Sequence, residues 1–223
     1  MRQAMTLANW ANMLRQAAGP VPPIELGNGA FSDEAGHRRG VDGPLMAWRV
    51  GRSRGPVKGI QIAPKADPDV MLWAALTDPS IDPARLLADH EGGRTNTDAQ
   101  SLFRSTTWTA IEVWTEVELS GLHALWWLAR ERGQAAWADR ADQAARWHLQ
   151  NTQPDNATNH PWAIHVFAEL SARHGDADAR MFAQTQLHNC LVHRGTPDKL
   201  SVHILLDAAD ALESASVDCG PTG

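Results

Sequence analysis

An internal repeat between Leu122 and Val192 constrains the fold of this chain more than any other feature of its sequence. The segment Leu122–Leu125 (LHAL) returns 42 residues later as Ile164–Phe167 (IHVF). Five further pairs of identical residues keep the same offset: Leu128 and Leu170, Gly133 and Gly175, Ala135 and Ala177, Ala141 and Ala183, and Leu149 and Leu191. A third start, Val202-His203, follows 38 residues after the second. Periods of this length are typical of two-helix repeats, in which each hairpin buries its apolar side against a neighbour.

The composition argues against several classes of function. The net charge is −6 over 223 residues, whereas a nucleic-acid-binding surface is normally basic, so we expect no nucleic-acid partner. No apolar run approaches the length of a membrane span, and the first residues lack the apolar core of a signal peptide. Cys190 and Cys219 provide neither a disulfide framework nor a zinc-binding spacing. We therefore expect a cytoplasmic protein without a membrane partner, a metal or a cofactor.

Capping and breaking signals divide the chain into three predicted segments. Residues 1–66 contain a helix over residues 2–17 and then an irregular Gly- and Pro-rich stretch, in which Leu45–Val50 and Val57–Ile62 alternate weakly and predict a β-hairpin. Residues 67–214 form a helical-hairpin domain, and residues 215–223 form a flexible tail. The predicted fold class is all-α, with antiparallel helical-hairpin repeats arranged as an α/α-toroid or a short α-solenoid.

The repeat histidines occupy one position on their helices. At 100° per residue, His123, His165 and His203 all lie opposite the apolar residues of their helices. An acid follows the second and third histidines after four residues, and a histidine beside a carboxylate suits general acid–base catalysis. The candidate catalytic residues are therefore His123, His165, His203, Glu116, Glu169 and Asp207. The same polar stripe supplies the candidate ligand-binding residues Trp127, Trp162, Glu112 and Asp210.

The polar stripe has two interpretations. In the inner layer of a curved array it would line a concave surface, where the histidines, acids and tryptophans converge. Facing bulk water, it would be a solvated helix face with ordinary ion pairs between residues four apart. Repetition of the histidine favours the functional interpretation, although duplication within one gene would also produce it. No His-x-x-x-His pair marks a zinc site, and no phosphate-binding loop or nucleophile elbow is present.

The hairpins that begin near His123 and His165 resemble those of α/α-toroid proteins. These include six-hairpin glycosidases, N-acylglucosamine 2-epimerase-like sugar isomerases, and terpenoid cyclase or prenyltransferase toroids. The resemblance covers residues 107–214 and is one of hairpin period rather than of a diagnostic motif. In the epimerase-like group, inner-helix histidines and a glutamate act on a sugar in the lumen, which implies such a role for His123, His165 and His203. The chain departs from the pattern by having three or four hairpins where a closed toroid has about six, and by lacking the Asp-rich motif of terpenoid cyclases.

Three functional hypotheses follow. In the first, a helical-repeat protein binds a small molecule or a protein through a concave face lined by His, Trp and acidic residues. In the second, an enzyme of the toroid type acts on a carbohydrate or related small molecule, with the histidines as acid and base. In the third, an incomplete ring closes as a homodimer, because open repeat ends favour pairing.

Overall fold

The regular structure of this chain is helical. The computed structural model describes residues 5–24, 41–55, 57, 62–63, 65–91, 101–103, 110–153, 159–192 and 195–218, and no strand occurs within these ranges. The helices are α1 (Leu7–Ala18), α2 (Asp42–Arg54), α3 (Pro68–Thr77), α4 (Pro83–Glu91), α5 (Ile111–Glu131), α6 (Ala135–Asn151), α7 (Ile164–His174), α8 (Ala177–Val192) and α9 (Lys199–Asp218). The predicted all-α class is confirmed. No helix of the described part is both long and apolar enough to cross a membrane.

The predicted N-terminal β-hairpin is wrong. Its first strand, Leu45–Val50, lies inside helix α2, and of its second strand only residues 57 and 62 fall in the described part of the chain, both outside regular structure. Leu45, Met46, Ala47 and Trp48 are consecutive and all buried. Alternation between a buried and a solvated face, which the hairpin required, is therefore absent, and the segment packs as a helix against α3.

The chain divides into two compact units, which are described separately. One unit comprises residues 1–22 and 152–223 and contains α1, α7, α8 and α9. The other comprises residues 23–151 and contains α2 to α6. The predicted segments 1–66, 67–214 and 215–223 stay a prediction. Helix α9 continues to Asp218, beyond the predicted helix end at Ser214.

Helix α5 is the central element of the α2–α6 unit. Every residue from Trp114 to Ala129 is buried, so the helix is covered on all sides rather than along one stripe. It packs against α3 and α6, and Trp48 of α2 contacts Trp127 on it. The unit is held together at one end by Arg132, whose guanidinium donates hydrogen bonds to the carbonyl oxygens of Ala75 and Ile81.

Both predicted hairpins are present as packed helix pairs. Helices α5 and α6 pack on each other and are joined at Gly133, whereas α7 and α8 pack on each other and are joined at Gly175. These two glycines have φ of 60° and 67°, a left-handed conformation that glycine adopts without the steric penalty of a side chain. Their repetition at the same offset therefore marks the two turns. The arrangement of these hairpins as a toroid or a solenoid stays a prediction.

In the other unit, α1 packs lengthwise on α9. Its buried stripe contains Leu7, Trp10 and Leu14, and Thr6 caps the helix by accepting a hydrogen bond from the backbone N–H of Asn9. The helix ends at Gly19, which has φ of 64°. Helix α9 also packs against α7, which in turn pairs with α8.

Candidate functional site

The ten residues singled out from the sequence are divided between the two units. The α2–α6 unit contains Glu112, Glu116, His123 and Trp127, all on α5. The other unit contains Trp162, His165, Glu169, His203, Asp207 and Asp210. Seven of the ten are buried: Glu116, His123, Trp127, Trp162, His165, His203 and Asp207. At these seven positions the stripe is therefore not a solvated helix face. Convergence of all three histidines on one site stays a prediction.

His123 packs against an indole in the core of the α2–α6 unit. Its ring centroid lies 5.1 Å from that of Trp73 on α3, and the two planes are tilted by 53°. The Nε1–H of Trp73 donates a 3.1 Å hydrogen bond to the hydroxyl of Ser120, which precedes His123 by one helical turn. Helix α5 thus contacts the Trp73 indole twice, through Ser120 and through the imidazole of His123. The indole covers the imidazole and keeps it away from water.

Trp127 belongs to a cluster of indoles that is also in contact with an arginine side chain. Its ring centroid is 5.4 Å from that of Trp48 and 5.1 Å from that of Trp126. The guanidinium carbon of Arg52 lies 4.0 Å from the Trp127 centroid, a cation–π arrangement. One face of Trp127 is therefore covered by the chain itself.

A buried carboxylate that the sequence analysis did not single out organises the α5–α6 pair. The carboxylate of Glu118 accepts hydrogen bonds from the backbone N–H groups of Leu102 and Phe103, the latter at 2.8 Å, and lies 3.6 Å from Nε2 of His148 on α6. Both ionisable side chains are fully buried. Arg140 of α6 also donates to the carbonyl oxygen of Ser101. The segment 101–103 is therefore held against α5 and α6 by polar contacts at three consecutive residues.

The sequence contained a signal for Glu118. This acid follows Trp114 by four residues and precedes Leu125 by seven, so it lies on the side of α5 that the helical wheel assigns to apolar packing. Gly121 lies on the same side. A carboxylate and a glycine on an apolar stripe indicate that a closely packed segment donates backbone N–H groups to this side of α5. The segment 101–103 is the one that does so.

In the other unit, α7 and α9 are related by the 38-residue offset. Nε2 of His160, ahead of α7, lies 3.4 Å from a carboxylate oxygen of Asp198, ahead of α9. His165 and His203 each follow these contact residues by five positions, and α7 and α9 pack against each other. The two buried histidines therefore occupy equivalent positions of the repeat on two helices that pack against each other.

The two partly exposed candidates of this unit form ion pairs with arginines. Glu169 accepts a 2.7 Å contact from Arg173, one turn later on α7. Asp210 lies 2.6 Å from Arg15 of α1, which also binds Glu213 at 2.7 Å. The hydrogen bond to Glu213, followed by that to Asp210, raises the pKa of the Arg15 guanidinium against the opposing effect of its partial burial. Both acids are therefore engaged by arginines, whereas Asp207 is buried on α9.

The turn ahead of α7 contains the one residue other than glycine with a positive φ in the described ranges. Ala163 has φ of 56° and ψ of 14° and is fully buried. An L-residue in this conformation is disfavoured by about 1–2 kcal/mol, so surrounding contacts must hold it there. One such contact is a 2.8 Å hydrogen bond from Nε2 of Gln186 on α8 to the carbonyl oxygen of Trp162. Ala163 is the N-cap residue, and α7 begins at Ile164.

Asp198 is the charged group at this turn. Partial burial raises the pKa of its carboxyl, but the hydrogen bond and charge of His160 and the hydrogen bonds of Ser201 outweigh this effect. The pKa is consequently below its ordinary value, and the group is a carboxylate at neutral pH. One of its oxygens accepts the backbone N–H of Ser201 at 2.7 Å, an N-terminal cap for α9.

The arrangement can bind or protonate a small polar group, because imidazoles and carboxylates are its buried ionisable side chains. Within the described ranges, no three His, Cys, Asp or Glu side chains are grouped closely enough to hold a metal ion. The chain matches no protein-family model, no curated protein and no solved structure. The function must therefore be inferred from the site itself.

Proposed function

We propose that this helical protein binds a small polar molecule at the buried histidines of the α1/α7–α9 unit, with His165, His203 and Asp207 as the binding groups. The observation that carries the proposal is the burial of these three ionisable side chains, each with at most 2% of its surface exposed. Removing such groups from water is costly, and strongly buried ionisable residues occur preferentially at functional sites.

The burial favours a small molecule over a protein partner. A protein surface contacts side chains that are exposed on the separate chain, whereas a buried imidazole is reached only by a molecule small enough to enter the helical packing. The exposed member of the predicted set is Glu112, and the partly exposed Glu169 and Asp210 are engaged by arginines. The surface part of the stripe therefore offers little to a protein.

A second candidate function is acid–base catalysis on a carbohydrate or a related small molecule. The observation that favours it is the spacing of His203 and Asp207, which are four residues apart on α9 and both buried. Residues at this spacing lie on one helix face, where a carboxylate can orient an imidazole and stabilise its protonated form. The substrate class rests on the resemblance to α/α-toroid sugar enzymes.

The binding proposal is tested by nuclear magnetic resonance of the histidine side chains. Glucose, glycerol, ethanolamine and acetate are titrated separately into the wild-type protein and into the variants His203→Gln and His188→Gln. His188 is the matched control, because it is an exposed histidine on α8 of the same unit. We expect at least one probe to shift the His165 and His203 resonances and to lose affinity in His203→Gln only. The proposal would be contradicted if no probe shifts a histidine resonance, or if the His188 resonance shifts as much as those of His165 and His203.

The catalytic alternative has a separate readout. Products of isomerisation or glycoside hydrolysis are sought by the same spectroscopy after incubation with N-acetylglucosamine, N-acetylmannosamine and maltose. A conversion that disappears in both His203→Gln and Asp207→Asn supports acid–base catalysis. Binding without any conversion supports the first function alone.

A further inference from the structure

The indole cluster of the α2–α6 unit, formed by Trp48, Trp126 and Trp127, holds an exposed arginine in place. The guanidinium carbon of Arg52 on α2 lies 4.0 Å from the ring centroid of Trp127 and 5.5 Å from that of Trp48. The guanidinium carbon of Arg130 on α5 lies 4.7 Å from the centroid of Trp126. A guanidinium stacked on aromatic rings is fixed in position, while the edge that carries its N–H groups stays open. Cationic side chains from two helices therefore border one cluster.

Arg52 has no acidic partner among the residues that the structure describes, although the chain as a whole has a net charge of −6. Other arginines of the chain behave differently, since Arg15, Arg146 and Arg173 each pair with a carboxylate. Indoles rather than an acid determine the position of the Arg52 guanidinium. Its hydrogen-bond donors consequently remain available to a second molecule.

A buried donor lies in the same cluster. Trp48 is 6% exposed, and its Nε1–H has no hydrogen-bond partner in the described ranges, whereas buried donors normally have one. An indole N–H and a guanidinium can only donate, so the group that both lack is an acceptor oxygen. The guanidinium carbon of Arg52 is 5.5 Å from the centroid of this indole. One oxygen that accepts two hydrogen bonds joins donor atoms about 5 Å apart, so the two donors are close enough to share an acceptor group.

We propose that the indole cluster is a binding site for an oxyanion, a carboxylate or a phosphate group, with the guanidinium of Arg52 and the Nε1–H of Trp48 as its donors. A guanidinium binds either oxyanion through paired N–H groups, and such charge-assisted hydrogen bonds are stronger than neutral ones. The oxyanion approaches from solvent along the exposed Arg52 side chain, which moves with it and uncovers the Trp48 nitrogen. The site uses none of the residues proposed for binding in the α1/α7–α9 unit.

The test titrates sodium acetate and sodium phosphate separately into the wild-type protein, with sodium chloride keeping the ionic strength constant. Nuclear magnetic resonance follows the Nε1–H of Trp48, assigned with Trp48→Phe, and the Nε–H of Arg52, assigned with Arg52→Gln. We expect both resonances to shift and saturate with at least one of the two anions. The Trp48 resonance should move downfield, because its N–H gains an acceptor. Saturation by acetate alone identifies a carboxylate ligand, and saturation by phosphate alone identifies a phosphate ligand.

Arg52→Gln is the decisive variant, and Arg54→Gln is its matched control. Both arginines are exposed on α2, and both variants lower the net charge by the same amount, but residues two positions apart lie on opposite sides of a helix. Loss of the charge-assisted hydrogen bonds should weaken oxyanion binding about tenfold or more in Arg52→Gln. The affinity of Arg54→Gln should stay within about twofold of the wild type, because exposed charges are screened. Trp48→Phe retains an aromatic ring, removes the N–H, and should weaken binding by about threefold to tenfold.

Three outcomes would overturn the oxyanion site. Equal losses of affinity in Arg52→Gln and Arg54→Gln would show that anions are attracted by charge alone. A Trp48 resonance that stays in place while that of Arg52 saturates would show that the two donors do not share a ligand. The absence of any saturable shift with acetate and phosphate would show that neither anion is bound. None of these outcomes decides the proposed function, which is tested on the resonances of His165 and His203.

Discussion

Replacing Gly121 with alanine should destabilise this protein, although alanine is the better helix former. Gly121 lies in the middle of α5, and a β-carbon placed on it would be 2.5 Å and 2.7 Å from two ring carbons of Phe103. Asp69 closes the other side, with its own β-carbon 3.6 Å away. The Phe103 ring is buried, and its backbone N–H is held by Glu118. The ring can therefore move aside only by disrupting the segment 101–103.

The magnitude follows from two opposing terms. Alanine in place of glycine in a helix interior contributes about 1 kcal/mol of stability. Overpacking a close-packed site costs about 1–3 kcal/mol, and contacts near 2.5 Å belong at the upper end of that range. We therefore expect Gly121→Ala to lower the free energy of unfolding by about 1–2 kcal/mol.

Gly51 provides the matched control. It is a helical glycine of α2 in the same unit, and apart from its chain neighbours and its own helix backbone no atom of the described residues lies within 4 Å of where its β-carbon would be. Gly51→Ala should raise the free energy of unfolding by about 0.5–1 kcal/mol. Urea denaturation followed by tryptophan fluorescence measures both variants, and the double variant Gly121→Ala/Phe103→Leu should recover part of the loss through a favourable coupling energy. If Gly121→Ala is stabilised as much as Gly51→Ala, the contact with Phe103 is not there.

Three further predictions concern ionisable groups. Glu118→Gln should lower the free energy of unfolding in urea by about 2–3 kcal/mol, because it weakens two charge-assisted hydrogen bonds. The control variant at the exposed Glu112, Glu112→Gln, should change it by less than about 0.5 kcal/mol. Equal effects would contradict the hydrogen bonds from Leu102 and Phe103 to Glu118. Because the folded pKa of Asp198 is lowered, its contribution is complete above the ordinary pKa of 3.8 and is lost as pH falls through the lower folded value. The stability difference between wild type and Asp198→Asn should therefore shrink below about pH 4, and a difference independent of pH would disprove the linkage. Burial and the charge of Asp198 raise the pKa of the Cys190 thiol to about 12. In a Cys219→Ser variant, iodoacetamide should therefore label Cys190 at pH 8 only after unfolding. Rapid labelling of the folded protein would refute this prediction.

Much of the helical architecture was predictable because it depends on local chemistry. The repeated glycines Gly133 and Gly175 lie in left-handed turns, where the absence of a side chain is decisive. Helices α3 and α4 begin at Pro68 and Pro83, and proline is favoured at the first position of a helix because its φ is already helical. The β-hairpin prediction failed because the six residues of Leu45–Val50 alternate only weakly, and the packing of α2 on α3 determines their conformation.

The candidate site was only partly predictable. Helical periodicity placed His165 and His203 at equivalent positions, and His160 and Asp198 are in contact at the same offset. Periodicity did not indicate that the stripe would be buried, because a helix surrounded by other helices has no solvated face to contrast with its apolar one.

The helical class, the two hairpin turns and the common register of the repeat histidines could be predicted, since each depends on residues within a few positions of one another. Three-dimensional packing was needed to establish that Glu118 holds the segment 101–103, that arginines engage Glu169 and Asp210, and that His123, His165 and His203 are withdrawn from water. Burial and hydrogen-bond pairing are properties of neighbours in space. Those neighbours are contributed by helices far apart in the chain.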